Sequence, residues 1–394
     1  MQSYEEALSR LLAAARPLAE QETLALSDAL GRVLAAPLVS PLRVPPHDNS
    51  AMDGYAVRVA DLAAVGVRLP VSQRVPAGSQ PTALEAGTAA RIFTGAPIPP
   101  GADAVVMQER CRAEGDAVIV EHTPKPGENI RRAGEDIADG AVVLPAGKRL
   151  VAQDLGLAAS IGVPALTVFR RLRVATFFTG DELTTPGEPL RPGAIYNSNR
   201  YVLRGQLEAL GCEVREIGIV RDDLAATREA LRQAARDADL VLTCGGVSVG
   251  EEDHMKAAVE AEGALEAWKL AIKPGKPLAW GRVGEAAFIG LPGNPVSSFV
   301  TFVALVQPYI RARQGEPAAV PRALPMRADF AWPRADQRRE FLRVRRNERG
   351  GLDLYPQQGS GVLSSCSWAD GLVSNPPGQT IAEGDVVHYL PFQP

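Results

Sequence analysis

The spacing of apolar positions changes along this chain, and each change marks a different kind of structure. In residues 3–15, Ala7, Leu8, Leu11 and Leu12 recur at helical spacing and place one apolar stripe on a helix that Pro17 stops. Ser27–Leu34 predicts a second short helix. From Pro41 the texture changes to a proline-rich run through Pro45, Pro46, His47, Asp48, Asn49 and Ser50, which resists helix and marks a domain crossing. Short apolar runs then alternate with Pro/Gly turns as far as Asp139, among them Arg91–Thr94, Ala104–Met107 and Ala117–Val120, as in a small β-rich domain. Residues 140–167 contain a helical segment, Gln153–Ser160, expected to pair with the N-terminal helix and close a discontinuous domain.

From about residue 168 strands and helices alternate: a strand at Arg173–Phe178, a helix at Ser198–Leu210, a strand at Cys212–Val220, a helix at Asp222–Ala238 and a strand at Ala238–Thr243. This pattern predicts a parallel sheet with helices on both faces, whose ligands sit beyond the strand C-termini. The turn Gly290–Pro295 leads into an apolar helix, Val296–Arg313, with Pro295 suited to its first position. After Gly315-Glu316-Pro317 the texture is again strands and turns. The expected fold is multi-domain α/β and β. A doubly wound, mostly parallel α/β domain (168–316) is flanked by a discontinuous helical/β domain (1–40 plus 140–167), a small β-rich domain (41–139) and a C-terminal β-rich domain (317–394).

Composition narrows the possibilities. A chain of 394 residues has room for several cores, and a formal charge of −4 argues against a general nucleic-acid binder. The arginine clusters at 170–173 and 338–346 read as solvated faces before binding patches. The four cysteines and four histidines are scattered, with no CxxC pair, which argues against a zinc site and for a reducing, cytoplasmic home. No signal-peptide pattern and no long apolar run occurs, so a soluble protein without membrane contact is expected.

The candidate chemistry gathers at strand ends. Cys244-Gly245-Gly246-Val247-Ser248-Val249-Gly250 joins a buried strand to a helix. Such a turn suits a phosphate, through close backbone approach and free helix N–H groups; equally, Ser248 and Glu251 have capping-box spacing. Three acidic turns, Gly180-Asp181-Glu182, Arg221-Asp222-Asp223 and Glu251-Glu252-Asp253, follow strands and would share one sheet edge. Glu182, Asp222 and Asp253 there suit a hard cation such as magnesium, although separate helix caps would use the same residues. Lys269 and Lys273 have the same parity on a presumed strand, so both would face one way, toward an oxyanion, a polyphosphate or simply solvent at a sheet edge. Thr94, Ser248 and Ser360 have no neighbouring histidine in sequence, so nucleophilic catalysis has little support.

Taken together, several segments resemble the molybdopterin molybdenumtransferase family, MoeA in bacteria and the gephyrin E domain in animals. They are Pro45–Ala56, Arg91–Pro97, Glu128–Asp136, Thr179–Leu183, the 244–253 turn, the 268–277 lysine segment and Gly290–Pro295. The resemblance covers nearly the whole chain. It implies an elongated homodimer whose active site is shared between subunits, with possible contacts to other cofactor-biosynthesis proteins. It also implies insertion of molybdate into adenylated molybdopterin, with Mg2+-dependent hydrolysis of the phosphoanhydride and release of AMP. Carried over residue by residue, the catalytic positions are Asp53, Thr94, Arg131, Asp136, Glu182, Asp222, Asp253, Lys269 and Lys273. Substrate would be bound by Gly245, Gly246, Ser248, Gly250, Pro292 and Pro295, and, by a looser resemblance, by Arg338, Arg343, Ser360 and Ser365. Phe178 and His254 depart from the family pattern. Competing readings are a tungsten- or client-specific paralogue, the preceding adenylylating enzyme, which would lack the flanking segments, and a non-catalytic dimeric scaffold.

Overall fold

The computed structural model describes residues 1–246, 254–317, 320 and 322–392. Its centre is a six-stranded sheet. Four parallel strands lie in the order Glu213–Val220, Arg173–Thr179, Leu240–Cys244 and Ala286–Leu291, and the antiparallel strands Pro277–Val283 and Gly263–Lys269 extend one side. Arg173–Thr179 is buried at every position after Arg173, as a central strand covered on both faces must be. The helix Ser198–Ala209 contributes Leu203 and Leu207 to the core on one face. Leu224–Ala235 contributes Leu231 to the core on the other. The chain therefore winds in opposite directions from Arg173–Thr179 and from Leu240–Cys244, which are neighbours in register from Val174↔Leu240 to Phe178↔Cys244. Their C-terminal ends flank the crevice where a doubly wound sheet receives ligands.

The N-terminal helix, Tyr4–Ala14, starts with a capping box between Ser3 and Glu6. It does not pair with Ala152–Ser160, contrary to the sequence expectation. Ala7, Leu8 and Leu11 instead join the core around Phe302–Ile310, and the Tyr4 hydroxyl donates to Ala304 O at 3.3 Å. The long apolar helix, widened by a π-helical stretch at Phe302–Val306, offers a larger apolar face than the short Ala152–Ser160 does. Ala152–Ser160 packs with the strands that join both ends of the N-terminal region: Gln21–Ala25 pairs with Ala165–Phe169, and Leu38–Val39 with Val142–Leu144.

Residues between these stretches build a six-stranded β-sheet in the order Ala104–Met107, Gly54–Val57, Ala89–Ile92, Val67–Val75, Ala117–Val120 and Cys111–Glu114. The C-terminal sheet also has six strands, and one of them, Ile272–Lys273, comes from within the α/β region. It pairs in parallel with Arg339–Arg346, setting Lys273 opposite Glu340. This overturns the expectation that Lys269 and Lys273 share one strand face. Lys269 ends Gly263–Lys269 in the α/β sheet; Leu270 N–H then donates to Lys276 O and Ala271 N–H to Gln2 O, so the strand breaks before Lys273 enters the other sheet. Among the described residues no helix is long and apolar enough to cross a membrane.

Candidate active site

A cavity of about 970 Å³ opens at the sheet crevice, between the strand C-termini and the C-terminal β-rich region. Thr179 and Gly180 end one central strand, and Cys244, Gly245 and Gly246 end its neighbour. The backbone at this junction is tight. Gly245 and Gly246 have φ of +99° and +65°, and a Cβ would come within 2.6 Å of Thr179 O at Gly245 and 2.9 Å of Thr179 Oγ1 at Gly246. Only glycine fits such an approach at positive φ, so the turn's glycine run follows from geometry.

Glu182 and Asp222, each just past a parallel strand, both line the cavity. Adjacent acids have different tasks here. Asp223 caps the helix Leu224–Ala235, its Oδ1 accepting from Ala226 N–H at 2.8 Å, which leaves the Asp222 carboxylate for the cavity. Among the described residues neither Glu182 nor Asp222 has an ion-pair partner. Asp253, Ser248 and Gly250 lie outside the described residues.

The floor is built by the Pro292–Pro295 turn and by Asn197 and Asn199. Asn199 Nδ2 donates to Gly293 O at 2.8 Å and contacts Cys244 Sγ at 2.9 Å. Burial pushes the Cys244 thiol up to about 11, so it is a protonated structural group that donates to Pro292 O. Among the described residues Thr179 Oγ1, Asn197 Nδ2 and Asn199 Oδ1 are buried without a hydrogen-bond partner, and all three residues line the cavity. Asn197, Asn199 and Lys276 line the cavity as well, beyond the site residues that the sequence motifs point to. The signal for the asparagines was available: Asn197-Ser198-Asn199 opens a helix directly after the short strand Ile195–Tyr196.

Positive charge comes from Lys273, Lys276 and Arg338, which line the same cavity with Ser360. Lys269 is not among the lining residues. Lys273 Nζ is 3.0 Å from Glu340 Oε1 and 3.3 Å from Asp336 Oδ2. Arg338 grips Asp336 through Nε at 2.9 Å and a terminal nitrogen at 2.8 Å. That bidentate contact, with the Arg338 backbone N–H and Lys273, holds the Asp336 carboxyl well below the usual carboxylate range.

Arg343 and Ser365, expected at the substrate, are buried away from the cavity. The Arg343 guanidinium donates to Ser365 Oγ at 3.2 Å, Phe341 O at 3.0 Å and Gly359 O at 3.3 Å, and burial lowers its pKa to about 10. These bonds tie down the Gln358–Gly361 segment, whose Ser360 carbonyl accepts from Val296 N–H at 3.0 Å. The arginine therefore shapes the cavity wall from behind and does not reach into it.

Asp53, Thr94, Arg131 and Asp136 lie on the small β-rich region and do not line this cavity. Asp53 Oδ1 accepts from Thr94 N–H at 2.7 Å and from Thr94 Oγ1 at 2.8 Å; the backbone bond first, and then the hydroxyl, hold its pKa below the ordinary value. Arg131 pairs with Asn49, and Asp136 N–H donates to Val44 O at 3.0 Å, so these residues gather beside the segment 44–54.

Comparison with known proteins accounts for almost the whole chain. Three family models match in succession: "MoeA N-terminal region (domain I and II)" at residues 2–162, "Probable molybdopterin binding domain" at 175–312 and "MoeA C-terminal region (domain IV)" at 325–392. A molybdopterin molybdenumtransferase of Haemophilus influenzae is 43% identical over 375 residues, spanning 93% of this chain and 92% of its own length. This chain belongs to that family. It is accordingly an enzyme. Molybdopterin molybdenumtransferase 2 of Mycobacterium tuberculosis is 37% identical over 95% of each chain. The structure of the MoeA protein of Pyrococcus horikoshii superposes over 100% of both chains with a TM-score of 0.88 at 30% identity, which confirms the multi-domain α/β fold of the family.

Proposed function

We propose that this enzyme inserts molybdate into adenylated molybdopterin, with hydrolysis of the phosphoanhydride and release of AMP in the cytoplasm. The observation that carries this reading is one cavity lined both by carboxylates, Glu182 and Asp222, and by cations, Lys273, Lys276 and Arg338. A phosphoanhydride and an oxyanion need both. The backbone at Gly245 and Gly246 approaches closely enough to take a phosphate, while the buried polar atoms of Thr179, Asn197 and Asn199 are available to the pterin-bearing end.

The donor set fits magnesium: two hard carboxylate oxygen donors on adjacent loops, free of cationic partners among the described residues. Glu182 and Asp222 would hold the ion, and Asp253, outside the described residues, is proposed as a third ligand. The ion would supply charge neutralisation at the phosphates. Lys273 and Arg338 orient molybdate against the dithiolene, whose sulfurs replace one oxygen that leaves as water. In the hydrolytic step water adds to phosphorus and AMP departs. Asp53, Thr94, Arg131 and Asp136 are proposed to reach the same cavity from a second copy of the chain, completing a shared site in a homodimer.

The intact carboxylates and lysines favour an enzyme over a scaffold. Incubating the purified protein with adenylated molybdopterin, Mg2+ and molybdate should release AMP and yield cofactor that activates an apo-molybdoenzyme. Binding of the adenylated pterin with neither product would overturn the reading.

A further inference from the structure

Lys273 owes its place in the cavity to a residue far away in the sequence. The ladder sets it opposite Glu340, whose side chain is 2% exposed against 42% for the lysine. One Glu340 oxygen accepts from Lys273 Nζ at 3.0 Å. The other accepts from Trp332 Nε1 at 2.7 Å and faces Asn375 Nδ2 at 3.5 Å. One carboxylate oxygen is thus fixed from inside the C-terminal region and the other is left to Lys273, whose ammonium makes the only ion pair on Glu340 among the described residues.

The neighbouring acid is held differently. Asp336 is gripped at both oxygens by Arg338, so its contact with Lys273 at 3.3 Å is secondary. An ammonium has three N–H donors. With Glu340 and Asp336 taking two, one remains for the cavity that Lys273 lines.

We propose that Glu340 is the positioning residue of Lys273: its buried carboxylate, fixed by Trp332, holds the ammonium where its remaining donor meets the oxyanion. The inference rests on the reading of Lys273 as an oxyanion-binding residue. A buried acid suits this task because a carboxylate taken from water demands a partner, and among the described residues the lysine is the one cation that ion-pairs with it, Arg338 being committed to Asp336. The consequence is a division of labour: Lys273 touches the substrate, and Glu340 never does.

The test is a molybdate titration at saturating adenylated molybdopterin for the parent, Glu340→Gln, Lys273→Gln and the double variant, with melting temperatures measured alongside. Glu340→Gln keeps an acceptor for Trp332 but removes the charge. It should raise the molybdate concentration for half-maximal insertion by about fivefold or more, leaving the rate at saturation within about twofold. The double variant should be no worse than Lys273→Gln alone. If Lys273→Gln leaves the molybdate dependence unchanged, the oxyanion reading fails and this inference with it. If Lys273→Gln shifts the dependence and Glu340→Gln does not, only the positioning role is overturned. Additive losses in the double variant, or a drop in melting temperature with no molybdate shift, would instead make Glu340 a tether between the two sheets. Should Glu340→Gln fail to fold, Trp332→Phe frees the same carboxylate from its other partner and should move the molybdate dependence in the same direction; no movement overturns the proposal.

Discussion

The two ends of the parallel sheet carry the same residue types and treat them in opposite ways. At the C-terminal end Glu182 and Asp222 line a cavity and, among the described residues, neither pairs with a cation. At the N-terminal end Asp239 is locked between Arg170, bound through two nitrogens at 2.7 and 2.8 Å, and Arg173 N–H at 2.8 Å, with Arg170 also held by Glu20. Although burial opposes it, the Arg170 contact and the Arg173 N–H keep the Asp239 carboxyl below its ordinary range. A carboxylate that the fold satisfies contributes to stability, and one that it leaves unsatisfied is available to a ligand. Partners, more than position on a strand, separate the two.

Substitutions at the two ends should therefore fail differently. The largest effect is expected at Asp222. Changing it to alanine should slow AMP release by about 100-fold or more, the scale of losing a group that stabilises transition-state charge, with the melting temperature nearly unchanged. A rapid-quench AMP assay beside calorimetry checks both halves. Asp239→Asn should do the reverse, costing about 2 kcal/mol in denaturant unfolding with little change in turnover. Its pH signature has a definite sign: since the folded pKa is depressed, the stabilisation is present above the unfolded value and is lost as pH falls through the folded one. The acid limb of the parent's stability curve should flatten in the variant, and parallel curves would show that Asp239 adds nothing through its charge.

The same contrast separates two lysines, one lining the cavity and one outside it. Lys273→Gln should raise the molybdate requirement about tenfold or more, whereas Lys269→Gln, outside the cavity, should move it less than about twofold. Equal shifts would return Lys269 to the site. The smallest effect is expected at Asp223, where loss of the helix cap on changing it to alanine should cost about 1 kcal/mol and leave AMP release intact, one residue away from the most damaging change.

Much of the site was legible because it depends on local rules. A glycine run after a buried strand and acids after parallel strands land on one edge whatever the rest of the chain does, and Gly245, Gly246, Glu182 and Asp222 meet there. What failed depends on pairing between distant segments. Lys269 and Lys273 have strand parity in sequence, but Gln2 supplies the backbone partner of Ala271 and the chain changes sheets between the lysines. Arg343 and Ser365 resemble ligand residues by type, yet packing of the C-terminal sheet turns them inward behind Gly359. The N-terminal helix was read correctly as amphipathic, while its partner was set by the apolar area of Pro295–Arg313, which local periodicity does not reveal.

On the proposed function, the acids at the ligand end, which have no cationic partner among the described residues, would hold a divalent cation beside the substrate, while the paired acid at the far end would not. Electron paramagnetic resonance of Mn2+ titrated into the protein with adenylated molybdopterin tests this directly. Tight Mn2+ binding should appear in the parent and in Asp239→Asn and be lost in Asp222→Ala. Equal binding in all three would contradict the claim and move the cation, and the hydrolysis it supports, away from this sheet edge.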